Sequence, residues 1–350
     1  MSEHPVANRL VDETHVEKLD KAGVKTWTRS KLEARKIFLG ILLLALFLLP
    51  LFRAYISSYN YMLHIMLVTF MWIAMTSSWN IIGGYAGYVS LGHNVFFAVG
   101  AYVSGTLLVF FGLSPFLTAP LAGLLAMAVG LLVGLITLRT RGPAFIISTI
   151  ALLLLVRIWF DNWELLGGSN GLSLPLLSLP PNLLKVPFYY GMLLAAIGAV
   201  FVSYKVQHSK FGLGLRAISQ DETKTEVAGI DTRMYKILAF AISGFFVGVV
   251  GALWGYSLAY LRPTAFLGIA VAADFVLMST LGGKGTVAGP ALGAILMIAI
   301  NELTISKLGF TELNIAVTGL FLIVILLFFP EGIVGTLREH GKLPRILDWD

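Results

Sequence analysis

The sequence predicts an all-α polytopic membrane protein of about ten transmembrane helices, with both termini cytoplasmic. Three observations carry that reading. First, 57% of the residues are hydrophobic and only 13% charged, against about 25% charged in ordinary soluble domains, and the mean hydropathy is +0.84. A soluble fold of 350 residues could not hide that much apolar side chain, so lipid must serve as the solvent. Second, the apolar residues fall into runs near the ~20 residues that a helix needs to cross a bilayer. Third, the loops between the runs alternate between rich and poor in Lys and Arg, which marks cytoplasmic and external sides.

Residues 1–36 are polar and of mixed charge, too long and too acidic for the n-region of a cleaved signal peptide. They read as a cytoplasmic N-terminal tail with a short amphipathic helix near Val24–Lys36. The predicted spans run Ile37–Ile56, Tyr61–Ile82, Val89–Phe111, Pro115–Leu138 and Pro143–Phe160. After a long loop come Phe188–Tyr204, Lys236–Tyr260, Phe266–Leu281, Val287–Ser306 and Leu313–Phe329. The transmembrane domain thus covers 37–335, and 336–350 form a cytoplasmic C-terminal tail. The third and eighth spans adjoin Gly-rich stretches, where a broken or re-entrant helix competes with a continuous one. Irregular backbone at membrane depth survives only where protein or a water-filled cavity satisfies it.

Orientation follows from the basic residues. Arg29, Lys31, Arg35 and Lys36 precede the first span, Arg139 and Arg141 follow the fourth, and Lys205, Lys210, Arg216, Lys224, Arg233 and Lys236 crowd the loop after the sixth. Lys284 lies between the eighth and ninth, and Arg338 and Lys342 follow the last. With ten spans these share one side, and the opposite loops carry only Arg53, Lys185, Arg262 and Lys307. The long outer loop, 161–187, is rich in Gly, Pro and Ser and reads as neither span nor regular helix. The long inner loop, 205–235, is charged and compatible with a helix from Leu215 to Ala228 that stops at Gly229. Leu215, Ile218 and Glu222 share one face of that helix.

Composition excludes several functions. The chain has no cysteine, so disulfides and thiolate chemistry are out, and its six histidines lack the paired spacing of a metal site. No metal or other cofactor is expected in this chain. The net charge of +6 reports membrane topology and implies no nucleic acid. Gly283-Lys284-Gly285-Thr286 superficially suggests a phosphate loop, but a glycine follows the lysine and none stands at position 278. Any ATP driving transport must bind another subunit, and no catalytic residue is assigned.

Two Gly-rich stretches resemble each other: Gly83, Gly84, Gly87, Ser90 and Gly92 in the first, Gly282, Gly283, Gly285, Gly289 and Gly293 in the second. Each begins near the cytoplasmic end of a span and leads into the next helix, which hints at internal duplication. Such glycines expose backbone groups that can line a path for a polar solute, with Ser90, His93 and Asn94 adding side-chain groups; close helix packing through small residues is the competing reading. Asp274 lies inside the eighth span, where charges are rare and usually functional. Arg157 and Glu302 near span ends have the simpler reading of snorkelling or capping, and His64 sits in the second span, a few residues from its outer end. The charged inner loop is open to two readings as well, a docking helix for a soluble partner or a solvated connector.

At this loop the chain resembles a known family. The pattern G-x-x-x-R-A-I-x-x-[DE]-E-x-x-x-E-x-x-G-I, on Gly212, Arg216, Ala217, Ile218, Glu222, Glu226, Gly229 and Ile230, is similar to the cytoplasmic coupling loop of ABC importer permeases for branched-chain amino acids. In that family the loop docks on the ATPase subunit, which implies the same for these residues. Lys224 and Thr225 depart from the family's small residues. The stretches Asn80–Tyr102, Gly167–Leu172, Lys236–Leu253, Leu281–Pro290 and Pro330–Gly332 also match in order and spacing, so the resemblance covers about residues 60–337. Length and outer loop are closer to the LivM-type subunit than to its shorter LivH-type partner. The resemblance implies an inner-membrane importer subunit with two ABC ATPases, a homologous LivH-like permease subunit and a periplasmic substrate-binding protein meeting Gly167, Gly168, Asn170 and Gly171. Relatives that move urea or short amides leave that substrate class open. A proton-coupled secondary transporter and a membrane-embedded enzyme are the competing classes; the second would need a cluster of His or carboxylates, and none appears.

Overall fold

The computed structural model describes residues 40–51, 59–180, 183–308 and 331–341, with isolated positions at 319, 323, 327–329 and 349. The expected tail helix Val24–Lys36 and nearly all of the expected span Leu313–Phe329 lie outside the described residues. The chain divides into Met1–Ser57 and Ser58–Asp350. In the first unit, α1 (Gly40–Leu51) is an apolar helix shorter than a full span.

The second unit is almost wholly helical. Its elements are α2 (Tyr59–Asn80), continued by a π-helical turn (Ile81–Tyr85), α3 (His93–Phe111), α4 (Pro115–Thr137), α5 (Pro143–Asp161) and α6 (Val186–Gln207). Then come α7 (Lys210–Gln220), α8 (Glu222–Val227), α9 (Thr232–Leu258), α10 (Pro263–Phe266), α11 (Ile269–Gly282), α12 (Ala288–Leu308) and α13 (Gly332–Glu339). Among the described residues seven helical segments are long and apolar enough to cross a membrane, namely α2 with its π turn, α3, α4, α5, α6, α9 and α10 with α11; α12 contributes a shorter apolar helix. The chain is thus an all-α, multi-pass membrane protein.

Local chemistry sets the boundaries. Proline occupies the first turn of α4, α5, α6 and α10, where its missing N–H costs nothing and its fixed φ suits a helix. Ser209, Asp221 and Asp231 cap α7, α8 and α9, their side-chain oxygens accepting from Gly212, Lys224 and Met234 N–H at 3.1, 3.0 and 3.0 Å; each such bond satisfies one orphan donor of a helix start. Two expectations need correction, and one open alternative is resolved at the eighth span. The third span starts at His93 rather than Val89, because the chain makes an irregular turn first. The eighth is broken at Leu267–Gly268 into α10 and α11. The inner loop forms two helices instead of one, because Asp221 leaves the helical region (φ −158°, ψ 103°) to cap α8.

α2 is enclosed: every residue from Phe70 to Asn80 is buried. α9 packs most extensively on α4 and α3, and α6 and α12 close on α2. Small residues make the approach of α9 tight, as membrane packing favours. A Cβ on Gly248 would meet Ala126 Cβ at 2.5 Å, and one on Gly251 would meet Phe97 O at 2.1 Å. Leu-rich outer faces of α4 and α5 are exposed, for example at Leu117, Leu132, Ile147 and Leu155, as lipid requires. At the end of α5 opposite Arg141, the outer loop makes two 3-10 turns and a short strand β1 (Leu172–Ser173), paired antiparallel with β2 (Tyr260–Leu261) in register Leu172↔Leu261.

Candidate functional site

The two Gly-rich turns, about 200 residues apart in sequence, meet in space. Asn80, buried at the end of α2, clamps them. Its Nδ2 donates to Thr286 O at 2.9 Å, and its Oδ1 accepts from Gly285 N at 2.8 Å. Gly84 closes the contact, since a Cβ there would lie 2.6 Å from Gly285 N. Thr286 caps its own turn, its Oγ1 donating to Gly283 O at 2.8 Å and accepting from Gly289 N at 3.0 Å. Gly282, Gly289 and Gly293 let α11 and α12 approach, because a Cβ on Gly282 would sit 1.7 Å from Gly289 O and one on Gly293 1.8 Å from Met278 O. Gly283, Gly285 and Gly87 adopt positive φ, a conformation glycine takes without steric cost.

From the first turn, side chains reach into the spans. Trp79 Nε1 donates to Ser90 O at 2.8 Å, and Leu91 N donates to Thr149 Oγ1 at 3.2 Å. His93 is buried, its Nε2 2.9 Å from Ser243 Oγ on α9 and its ring packed among Phe96, Phe240 and Phe275. Asn94 Nδ2 donates to Gly268 O at 2.9 Å, at the break between α10 and α11. Five buried polar atoms here have no hydrogen-bond partner among the described residues: Ser77 Oγ, Ser78 Oγ, His93 Nδ1, Asn94 Oδ1 and Ser279 Oγ. Buried polar groups are normally paired, so this is hydrogen-bonding capacity not used among the described residues.

Toward α7 and α8 the same turn is welded by charge. The Glu222 carboxylate accepts from Lys236 Nζ at 2.6 Å and, through its other oxygen, from the Tyr88 hydroxyl. Lys236 is buried in the first turn of α9 and finds three acceptors, with Tyr88 Oη at 3.2 Å and Leu138 O at 3.4 Å completing the set. That matches the three donors of an ammonium. Arg141, half exposed, adds Nε at 3.4 Å from Glu222 and Nη2 at 2.9 Å from Glu226. Thr232 donates to Glu226 at 2.7 Å. Burial would raise the Glu222 carboxyl, but the hydrogen bonds from Lys236 and Tyr88 and the charges of Lys236 and Arg141 outweigh it and hold it below the usual value. Burial, then the bond to Glu222, pushes the Tyr88 hydroxyl up, so it stays a neutral donor. A cleft of about 380 Å³ opens beside this cluster, between Gly87, Arg141, Pro143, Ser219 and Glu222.

The expected coupling residues divide by direction. Gly212 and Ile218 are buried, and Glu222 turns inward to Lys236. Arg216, Glu226 and Gly229 are exposed, and Ala217 and Ile230 lie at the edge. Leu213 and Val227, which sequence reasoning did not single out, are strongly exposed beside them. The path set gathers at the turns, except Asp274, which lies half-buried on α11 with no ion pair among the described residues. Gly167, Gly168, Asn170 and Gly171 form a tight outer turn held by Tyr260, whose hydroxyl donates to Asn170 O. Sequence reasoning missed Asn80 and Tyr88 as site residues, counted Arg141 as a topology charge, and read Lys236 as a topology charge at the start of a family-like stretch without assigning it to the site.

A family model described as branched-chain amino acid transport system / permease component matches residues 61–326. The chain is 28% identical over 307 residues to the high-affinity branched-chain amino acid transport system permease protein LivM of Escherichia coli, covering 79% of this chain and 70% of that one. It is 27% identical over 274 residues to a probable branched-chain amino acid transport permease protein LivH of Methanocaldococcus jannaschii, covering 71% and 83%. A ribose import permease protein RbsC of Escherichia coli is 26% identical over 196 residues, covering 51% and 57%. No solved structure matches the chain.

Proposed function

Because the chain belongs to the branched-chain amino acid transport system permease family, we propose that it is the permease subunit of an ATP-driven ABC importer that moves branched-chain amino acids across the bacterial inner membrane. It is a transport subunit and not an enzyme. Two ATPase subunits bind below, a homologous LivH-like permease completes the path, and a periplasmic binding protein delivers solute to the outer turn at Gly167–Gly171. Ten spans with both termini cytoplasmic fit the distribution of Lys and Arg.

The observation that carries this reading is the helix pair α7–α8, charged, exposed on one side and fastened on the other to the first Gly-rich turn. A connector that only obeyed the charge rule would have no need of a buried Lys–Glu pair. The polar atoms of Ser77, Ser78, His93, Asn94 and Ser279 that find no partner among the described residues support a solute path beside the turns, since a passing amino acid needs available hydrogen-bond partners.

The test is co-purification with candidate ATPase subunits together with ATP-dependent leucine uptake in vesicles. Arg216→Glu with Val227→Asp changes only exposed positions, so the permease should fold, lose its ATPases and stop transporting. Uptake that needs no ATPase, or that collapses with an uncoupler alone, would replace this reading with a secondary transporter. Urea as competitor distinguishes the short-amide alternative.

A further inference from the structure

We propose that Glu222, with Tyr88 and Lys236, is the joint that passes movement of α7–α8 to the Gly-rich turn and the spans above it, so that these are positioning residues for transport and not docking residues for the ATPase. The inference rests on the ABC-permease reading and assigns a role within it.

Geometry carries it. Glu222 opens α8, yet its two oxygens are spent on partners from other segments. Tyr88 belongs to the turn between α2 and α3, Lys236 and Thr232 to α9, and Lys236 in turn holds Leu138 O at the end of α4. Arg141 brings in the α4–α5 connection. One carboxylate thus ties three otherwise separate segments to α8. The Lys236 ammonium also stands 4.7 Å from the Tyr88 ring centroid, so the tyrosine is held by ring and hydroxyl alike. From Tyr88 the connection upward is short: Tyr88 N donates to Ile82 O at 3.1 Å, and Tyr85 reaches Ser203 Oγ at 2.7 Å and Gln207 Oε1 at 2.9 Å on α6. Asn80, five residues before Tyr85, clamps the second Gly-rich turn. A displacement of α8 therefore cannot occur without moving the first turn or breaking the buried pair, and breaking it leaves an uncompensated buried charge. Contiguous packed contacts of this kind carry coupling only if the element they move has two arrangements; residues 86–92, between the π-helical turn and α3, are not fixed by helical hydrogen bonds.

The experiment uses the full importer in vesicles: Tyr88→Phe and Glu222→Gln against wild type, reading ATPase co-purification, ATP hydrolysis and leucine transported per ATP. Both changes keep shape, removing one hydroxyl or one charge. The expected result is an intact complex with ATP hydrolysis within about twofold, and a fall of about tenfold in leucine per ATP, the change that about 1.4 kcal/mol produces. A variant that merely reduced the amount of folded permease would lower both rates together and leave the ratio unchanged. The double variant should lose little more than either single one, because both act on one bond. An unchanged ratio in either variant, or loss of the ATPases from a folded Glu222→Gln permease, overturns the assignment. If wild type itself binds no ATPase, the importer reading falls first and the joint with it.

Discussion

Gly100→Ala should destabilise the protein by about 2 kcal/mol, although alanine is the better helix former. Gly100 on α3 faces Gly248 on α9 so closely that an added Cβ would stand 2.0 Å from Gly248 O and 2.7 Å from its Cα. Ordinary contact begins near 3.4 Å, and the obstructing atoms are backbone, so no side chain can turn aside. The two helices must part by more than an ångström along a seam where Gly251 already lies against Phe97 O and Gly255 against Ala101. Overpacking of this sort costs about 1–3 kcal/mol, and separating the helices forfeits dispersion along the whole seam. Against it, Gly→Ala in a helix interior returns about 0.5–1 kcal/mol. Gly134→Ala on α4 is the control: the nearest atoms to its Cβ lie at 3.4 to 3.6 Å, so only the propensity gain remains. Reversible unfolding in mixed micelles, followed by tryptophan fluorescence, compares the three proteins. A Gly100→Ala protein as stable as wild type, or a Gly134→Ala protein equally damaged, would refute close backbone packing as the role of these glycines.

Asn80→Ala strands Gly285 N–H and Thr286 C=O and should cost about 2 kcal/mol or more; unfolding of the same kind, with Thr69→Ala, whose hydroxyl donates to Ile65 O within its own helix, as comparison, measures it. Lys236→Met takes the closest cation from the part-buried Glu222 carboxylate and should cost about 3 kcal/mol, whereas Arg141→Ala, at the exposed rim, should cost distinctly less; equal losses would contradict the division between inner pair and rim. The Glu222 carboxyl is held below its ordinary value of 4.5 by Lys236, Tyr88 and Arg141, with Glu226 and Thr232 alongside. Its stabilising contribution is therefore complete above about pH 4.5 and is lost as pH falls through the depressed folded-state value, so the stability gap between wild type and Glu222→Gln should narrow with acidification, and a gap that widened would be fatal to the assignment. Because the chain has no cysteine, single cysteines at exposed Lys224 and Leu176 can be labelled with an impermeant maleimide, and they should react from opposite sides of the membrane.

How much the sequence revealed depended on which force set each feature. α4 and α5 were legible nearly to the residue: expected at Pro115–Leu138 and Pro143–Phe160, they run Pro115–Thr137 and Pro143–Asp161, because a long apolar run and a first-turn proline both mark the same boundary. Where polar groups decide, hydropathy misleads. Val89 looked like the start of a span, yet the helix waits until His93 while Trp79 and Thr149 hold the intervening turn. Asp221 looked like one more residue of a helix, yet its oxygen serves Lys224 N–H and splits the loop in two. The likeness of the two Gly-rich turns was legible as a pattern, but their meeting was not: the clamp at Asn80 joins residues more than 200 positions apart, and no periodicity in one sequence announces such a pairing. Lys236 was hidden for another reason: a lysine at the end of an apolar span is already accounted for by the charge rule of membrane topology, so a second duty leaves no separate mark.

That double duty changes how the resemblance of the inner loop should be read. A motif matched residue by residue invites one role for all its members, here contact with an ATPase. The structure sorts them instead. Gly212 and Ile218 are buried against their own chain, and Glu222 is committed to Lys236 and Tyr88; Leu213, Arg216 and Val227 face outward. A side chain committed inward has nothing left for a soluble partner, so ATPase affinity should follow the outward set and coupling the inward one. Arg216→Glu and Glu222→Lys, which as a pair look like reversals of one docking surface, are therefore expected to fail differently: the first by losing the ATPase from a folded permease, the second by placing a cation against Lys236 and Arg141 and loosening the turn itself. Measured singly, ATPase retention against folded yield separates them, and if both simply released the ATPase from equally stable protein, α7 and α8 would be one docking surface and Glu222 no joint at all.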